Sequence, residues 1–261
     1  MTGHPKNIIQ VSQVSIGYDP NEPAIGKGIG FEVETASFIA LVGSNGIGKS
    51  TLLKTLDGRI PPLEGQISIL GKPLEDYEIK QLAKVVSIVG TSAVESKNLS
   101  VYDLVAMGRQ PHTGWLGTLS RTDHAHIKRA LTLTQTEYLA DRKCFQLSDG
   151  QLQKVMIARA LAQDTPIILM DEPTTHLDMY HAIQVLKLLK QISKSEDKTI
   201  LFSTHDIGSA IQLCNHMLVM TPEKSFFGTP CELIEAERFD GLFPKDSIRF
   251  DKNTGTFKII E

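Results

Sequence analysis

Residues 37–43, SFIALVG, form a nearly continuous apolar run of the kind a strand needs when both faces of a parallel sheet are covered. A glycine-rich turn, SNGIG, follows at once. Then comes KSTLLKTLDG, with Leu52, Leu53 and Leu56 at helical spacing and Gly58 as a stop. The order strand, glycine loop, helix predicts a βα unit before any motif is considered.

The loop itself reads Gly43, Ser44, Asn45, Gly46, Ile47, Gly48, Lys49, Ser50, which fits G-x-x-x-x-G-K-[ST]. The glycines let backbone N–H groups close around a phosphate where side chains would obstruct them. The helix that starts near Lys49 aims its positive end at the same charge. Lys49 would neutralise the β- and γ-phosphates and Ser50 would give a hydroxyl to Mg²⁺. A chance glycine turn before a helix is the plain alternative, and the correctly placed strand and helix speak against it. The loop alone does not separate kinases, GTPases, helicases and transporters.

Other segments repeat the βα alternation. NIIQVSQVSIGY, residues 7–18, alternates apolar and polar positions and reads as an edge strand, with FEVET a second alternating piece. GQISIL, KVVSIVG, PIILMDEP and TILFSTH read as strands. QLQKVMIARALAQ, MYHAIQVLKLLKQISK and DIGSAIQLCN read as helices. Residues from about 92 to 143 differ in character and read as a mainly helical lobe. Alternating βα units point to a mainly parallel sheet.

Two further segments carry chemistry. Residues 167–172, IILMDE, are an apolar strand ending in two acids, which delivers charge to the carboxyl edge of a sheet, where open α/β folds bind ligands. Asp171 would hold Mg²⁺ through water, and Glu172 could polarise an attacking water as general base. Leu147-Ser148-Asp149-Gly150-Gln151 is a small, hydroxyl-bearing turn that opens a helix, a second anion site. One γ-phosphate does not need two such sites within one chain. A two-fold dimer does, if each subunit completes the other's site. Taken by itself, the segment would be a plain serine N-cap.

LSDGQ resembles the LSGGQ signature of ATP-binding-cassette (ABC) ATPases, and the likeness extends over nearly the whole chain. It implies an α/β P-loop NTPase core with a mainly parallel sheet, an antiparallel β subdomain and an inserted helical lobe at about residues 92–150, within one domain spanning residues 1–261. It makes Tyr18 the aromatic that stacks on adenine, and Gly43, Ser44, Asn45, Gly46, Ile47, Gly48, Lys49, Ser50 and Thr51 the Walker A segment. Ser148, Gly150 and Gln151 become the signature contacts to nucleotide. Asp171 and Glu172 end the Walker B strand, Thr175-His176-Leu177-Asp178 is the D-loop, and His205 is the switch histidine at the γ-phosphate. ATP and Mg²⁺ are the implied ligands.

The sequence departs from that pattern twice. Asp149 replaces the first signature glycine, and its carboxylate would repel γ-phosphate unless it points away. The glutamine usual at the end of KVVSIV is missing; Thr91 is the best-placed substitute toward Mg²⁺. VYDLVAMGRQPHTGWLG resembles the helical-lobe segment of ATPases that serve iron–siderophore, haem and cobalamin importers. That likeness implies a homodimer of ATPase subunits, peripheral on the cytoplasmic face of the plasma membrane, working with integral membrane permease subunits and indirectly with an external substrate-binding protein. The alternatives are a soluble ABC ATPase such as an iron–sulfur assembly factor, and a transporter ATPase for another small molecule.

Composition removes other classes. With 27 basic and 30 acidic residues the formal net charge is −3, which gives no argument for nucleic acid as a partner. No run reaches the ~18 apolar residues of a membrane span, and the start, MTGHPKNIIQ, lacks a secretory pattern. Cys144, Cys214 and Cys231 are odd in number and far apart, which suits reduced thiols. Lys187, Lys190 and Lys194 read as a solvated helix face, His124 and His126 as surface residues. Trp115 suits either an anchor within the lobe or a contact with a membrane partner.

Overall fold

The computed structural model describes residues 7–90, 98–115, 117–243, 246, 248–252 and 254–260. In chain order the elements begin with β1 (Asn7–Ile16), β2 (Gly26–Glu34), β3 (Phe38–Gly43), α1 (Lys49–Leu56), β4 (Glu64–Ile69), β5 (Lys72–Pro73) and α2 (Ile79–Leu82). Next come β6 (Val86–Val89), α3 (Val101–Ala106), α4 (Arg121–Leu133), α5 (Asp149–Ala162), β7 (Ile167–Met170) and α6 (Met179–Ser195). The chain closes with β8 (Thr199–Ser203), α7 (Ile207–Leu213), β9 (His216–Met220), β10 (Ser225–Gly228), α8 (Pro230–Glu235), β11 (Ile248–Asp251) and β12 (Thr256–Ile259). These elements fall into two compact units, Met1–Tyr77 with Thr199–Glu261, and Glu78–Lys198.

The first unit holds an antiparallel sheet in the order β2-β1-β4-β5. This is the antiparallel subdomain. It corrects one expectation, because β1 is flanked on both sides and is not an edge strand. Period-2 alternation reports that one face of a strand is solvated; it carries no information on which strands lie beside it. The unit's other sheet places β3 between parallel neighbours, β8 on one side and β9 on the other, with β10 antiparallel to β9. Every residue of β3 is buried, as its unbroken apolar run requires. Phe38 of β3 stacks on Phe202 of β8 with ring centroids 4.8 Å apart. Two features matter downstream: β3 and β8 run the same way, and Leu41 is in register with Ser203. Both strands therefore deliver their following loops to the same carboxyl edge.

In the second unit β6 and β7 pair in parallel, Val89 opposite Met170. The long crossover between them carries α3, α4 and α5, and it extends past the lobe expected at about residues 92–150, since α5 runs to Ala162. Its core is made by the apolar stripes of those helices, among them Leu104, Val105, Ile127, Leu131, Val155 and Ile157, all buried. Parallel strands joined through helices in both units give the α/β architecture expected from the sequence. Among the described residues no helix is long and apolar enough to cross a membrane.

Candidate functional site

In the first unit the site starts where β3 ends. The chain leaves the sheet at Gly43 and turns into α1 at Gly48, whose φ of +104° lies in the left-handed region. A side chain there is excluded twice over: by that backbone angle, and by Ile25 Cγ2, which would stand 2.9 Å from a Cβ. Glycine at the N-cap places no capping side chain over the first turn of α1. The first-turn amides and the positive end of the helix dipole thus face the loop.

Lys49 is the first residue of that helix and is only 6% exposed. Its ammonium donates to the carbonyl oxygens of Gly43 at 2.8 Å and Ser44 at 3.1 Å. The cation therefore spans the loop from inside, fixing its curvature. Ser44 and Ile47 are half-buried, and Asn45 and Gly46 form the exposed crest. Ser50 is half-buried in the first turn, and Thr51 is buried beside it. Thr51 Oγ1 donates to the Tyr18 hydroxyl at 3.3 Å. Tyr18 is 62% exposed, and the Lys54 ammonium stands 5.7 Å from its ring centroid. His205 lies two residues beyond β8, exposed, at the same carboxyl edge as the loop. The sequence-predicted residues Tyr18, 43–51 and His205 are thus gathered on one edge of one unit.

The second unit carries the acids and the signature. Strand β7 is buried along its whole length, and the Asp171 N–H continues its ladder by donating to Val89 O at 2.9 Å. Asp171 and Glu172 then emerge half-buried at the carboxyl end. Glu172 holds φ at +47°, and His176 in the same turn holds +69°. Such conformations cost of order 1–3 kcal/mol for non-glycine residues and collect at functional sites. Thr175 steadies the turn: its hydroxyl donates to Glu172 Oε2 at 2.9 Å and its N–H to Glu172 O at 3.1 Å.

Ser148 is the N-cap of α5. Its hydroxyl accepts from the Gln151 N–H at 3.3 Å, while Gln151 Oε1 accepts from the Ser148 N–H at 3.1 Å. The serine-cap reading is realised as a full capping box. Asp149 is exposed in the first turn, where a carboxylate is stabilised by the helix dipole; that accounts physically for an acid in place of glycine. A Cβ on Gly150 would meet His181 Cδ2 at 3.6 Å and Leu177 Cδ2 at 3.9 Å, ordinary contacts that the chain itself could accept.

One group was not legible as part of this surface. His181 donates from Nδ1 to Asp178 Oδ2 and from its backbone N–H to Asp178 Oδ1, both at 2.8 Å. The backbone bond, then the ring bond, hold the Asp178 carboxyl below its ordinary value. This pair caps α6 and sets an imidazole against Gly150. The D-x-x-H spacing just before a helix was the available signal. Thr91 lies outside the described residues. Trp115 is fully exposed, and Lys187, Lys190, Lys194 and His124 lie on the surface. Among the described residues no group of three or more His, Cys, Asp or Glu side chains is placed to hold a metal ion by itself.

A glycine loop at a helix N-terminus with a buried lysine is the geometry for a nucleotide's phosphates. Comparisons with known proteins agree. The profile of the ABC transporter family matches residues 27–175. The ferric enterobactin transport ATP-binding protein FepC of Escherichia coli K12 is 32% identical over 88% of this chain and 85% of its own. The iron(3+)-hydroxamate import ATP-binding protein FhuC of Bacillus subtilis 168 is 35% identical over 82% of this chain and 79% of its own. Among solved structures, cbiO1 from Clostridium perfringens, part of the ABC transporter complex cbiONQ, superposes with a TM-score of 0.79 at 29% identity, covering 90% of this chain and 94% of that one.

Proposed function

The chain belongs to the ABC transporter family as an ATP-binding, ATP-hydrolysing subunit, and on that premise we propose that two copies of it, peripheral to the cytoplasmic face of the membrane, drive permease subunits that import a chelated metal. The cargo class is an iron–siderophore, with haem and cobalamin as the related alternatives. Relatives named for ferric enterobactin and iron(3+)-hydroxamate support this class, as does the segment VYDLVAMGRQPHTGWLG. An external binding protein would present the cargo to the permease.

The buried Lys49 ammonium, bonded to the loop carbonyls of Gly43 and Ser44 at the N-terminus of α1, is the observation that carries the reading. Its charge and the loop amides receive the β- and γ-phosphates, and the exposed Tyr18 ring stacks on adenine. Glu172 accepts a proton from the water that attacks the γ-phosphorus as the bond to the leaving ADP oxygen breaks. His205 contacts the γ-phosphate. Ser148, the amide of Gly150 and Gln151 act on the nucleotide of the second subunit, so that each signature completes a site it does not itself contain. Gly150 fits this role: its own chain leaves room for a methyl group, and the approaching phosphate is what needs that space.

The donor set suits magnesium, because the Ser50 hydroxyl and the Asp171 carboxylate are hard oxygen groups and Mg²⁺ takes most of its remaining ligands from phosphate and water. When bound, the ion would neutralise charge on the phosphates. Thr91 stands as the proposed replacement for the missing glutamine toward that ion.

The test is co-purification with the membrane partner, followed by phosphate release with and without cargo-loaded binding protein. Cargo-stimulated hydrolysis that is lost in Lys49→Ala supports the reading. Hydrolysis that persists in Lys49→Ala contradicts it.

A further inference from the structure

Helix α5 has two ends. Its first turn carries the signature, and its last residues, Ala162 and the C-cap Gln163, are held by a separate device. The 3-10 segment Met107–His112 closes on that end. Arg109 Nη1 donates to Ala162 O at 2.6 Å, and Arg109 Nε donates to Asp123 Oδ1 at 2.8 Å. His112 Nε2 lies 2.8 Å from Gln163 O; a carbonyl can only accept, so the imidazole donates. Gln163 in turn donates from its amide to Ala83 O at 2.6 Å, just past α2, and to Val86 O at 3.1 Å, the first residue of β6. The approach of Gly108 is so close that a Cβ would stand 2.2 Å from Arg159 O, inside contact distance to backbone that cannot yield.

Both charges are buried, Arg109 4% and Asp123 5% exposed. Asp123 is also fixed by the Ser120 hydroxyl at 2.6 Å and the Ser120 N–H at 2.9 Å, in the capping box of α4. One guanidinium thus ties together α4, the 3-10 segment and the last turn of α5. A buried ion pair is a poor stabiliser, since apolar groups of the same volume do as well or better. What the fork adds is geometry: two directional bonds from one rigid plane. It also satisfies a carbonyl that the helix end would leave unpaired, and it places positive charge at the negative end of the dipole. The residues G-R-x-P-H supply each part: close approach, fork, a fixed φ at Pro111, and a second donor.

We propose that Arg109, assisted by Gly108 and His112, is a positioning residue for ATP hydrolysis: it anchors the end of α5 remote from Ser148 and so sets the direction in which the signature end meets the nucleotide of the second subunit. This rests on the reading that the signature acts across the dimer.

The test separates positioning from bulk stability. Arg109→Met/Asp123→Asn removes both buried charges and keeps an amide oxygen to receive the Ser120 N–H. The expected result in the assembled transporter is a kcat lowered about tenfold with KM within about twofold, while the isolated subunit keeps wild-type ATP affinity and folds. In the Glu172→Gln background the ATP-dependent dimer should accumulate less. Wild-type kcat in the folded double variant overturns the proposal, because a structural role alone is restored once folding is. Should the double variant not fold, Arg109→Lys and the exposed-site change His112→Ala report the same quantity. Each is expected to lower kcat about threefold at unchanged KM, and wild-type turnover in both overturns the proposal. Ser148→Arg runs in parallel. If it leaves the ATP-dependent dimer intact, the reading of the signature across the dimer has failed, whatever the Arg109 variants do.

Discussion

The hydroxyl of Tyr18 accepts a 3.3 Å hydrogen bond from Thr51 Oγ1, which tethers an exposed ring to the first turn of α1. Tethered in this way, Tyr18 remains 62% exposed. A ring so placed can offer its face to a base. Base–aromatic stacking is worth about 1–3 kcal/mol, so Tyr18→Ala should raise the ATP dissociation constant about tenfold, as read by fluorescence titration. Tyr18→Phe keeps the face and loses only the tether, and should stay within about threefold of wild type. Equal losses in both variants would assign the role to the hydroxyl.

Lys49→Ala removes a buried cation that bonds Gly43 and Ser44. Two effects should appear together. ATP affinity should fall at least about tenfold and hydrolysis should vanish, since the strongest point charge on the phosphates is gone. The loop should also loosen, seen as faster hydrogen exchange at residues 43–48. Unchanged affinity would mean that the nucleotide binds elsewhere.

Gly150→Ala should leave the Tm of the isolated subunit nearly unchanged, because a methyl group there meets only His181 and Leu177 at ordinary contact distances. The ATP-dependent dimer should nonetheless weaken. Ser148→Arg should abolish the dimer while leaving monomer ATP binding intact. If either variant mainly destroyed ATP binding to the isolated subunit, the signature would act on its own chain's nucleotide.

Asp123 makes a pH prediction. The Ser120 hydroxyl, then the Arg109 guanidinium, hold its carboxyl well below the ordinary value of 3.8. A depressed folded-state value contributes stability that is present above the unfolded-state value and is lost as pH falls toward the folded one. The Tm difference between wild type and Asp123→Asn should therefore hold steady from about pH 7 down to about pH 5 and shrink below about pH 4. A difference that stays constant down to about pH 3 would show that the carboxylate's charge is not what the site uses.

The βα unit around Lys49 was legible because everything it needs is local: an apolar run, glycines at fixed offsets, and a helix start. The signature was legible as a cap for the same reason, Ser148 and Gln151 being neighbours on one turn. What could not be read was long-range. The alternation of residues 7–16 marked a strand correctly and gave no sign that β2 and β4 would cover both its edges. Arg109 reaches Ala162 across 53 positions and Tyr18 reaches Thr51 across 33, and neither pairing leaves a trace in spacing. The backbone of Glu172 was equally hidden, since glutamate does not advertise a positive φ as glycine does.

That strained turn holds Glu172 as the proposed base, and phosphate release from the transporter, comparing wild type with Glu172→Gln, tests the role most directly. Glutamine keeps the shape, the Thr175 hydroxyl bond and the backbone conformation but cannot take the proton from the attacking water. Glu172→Gln should show wild-type ATP affinity, an accumulating ATP-bound dimer, and turnover reduced at least about 100-fold. Turnover equal to wild type would contradict the assignment of Glu172 as the base.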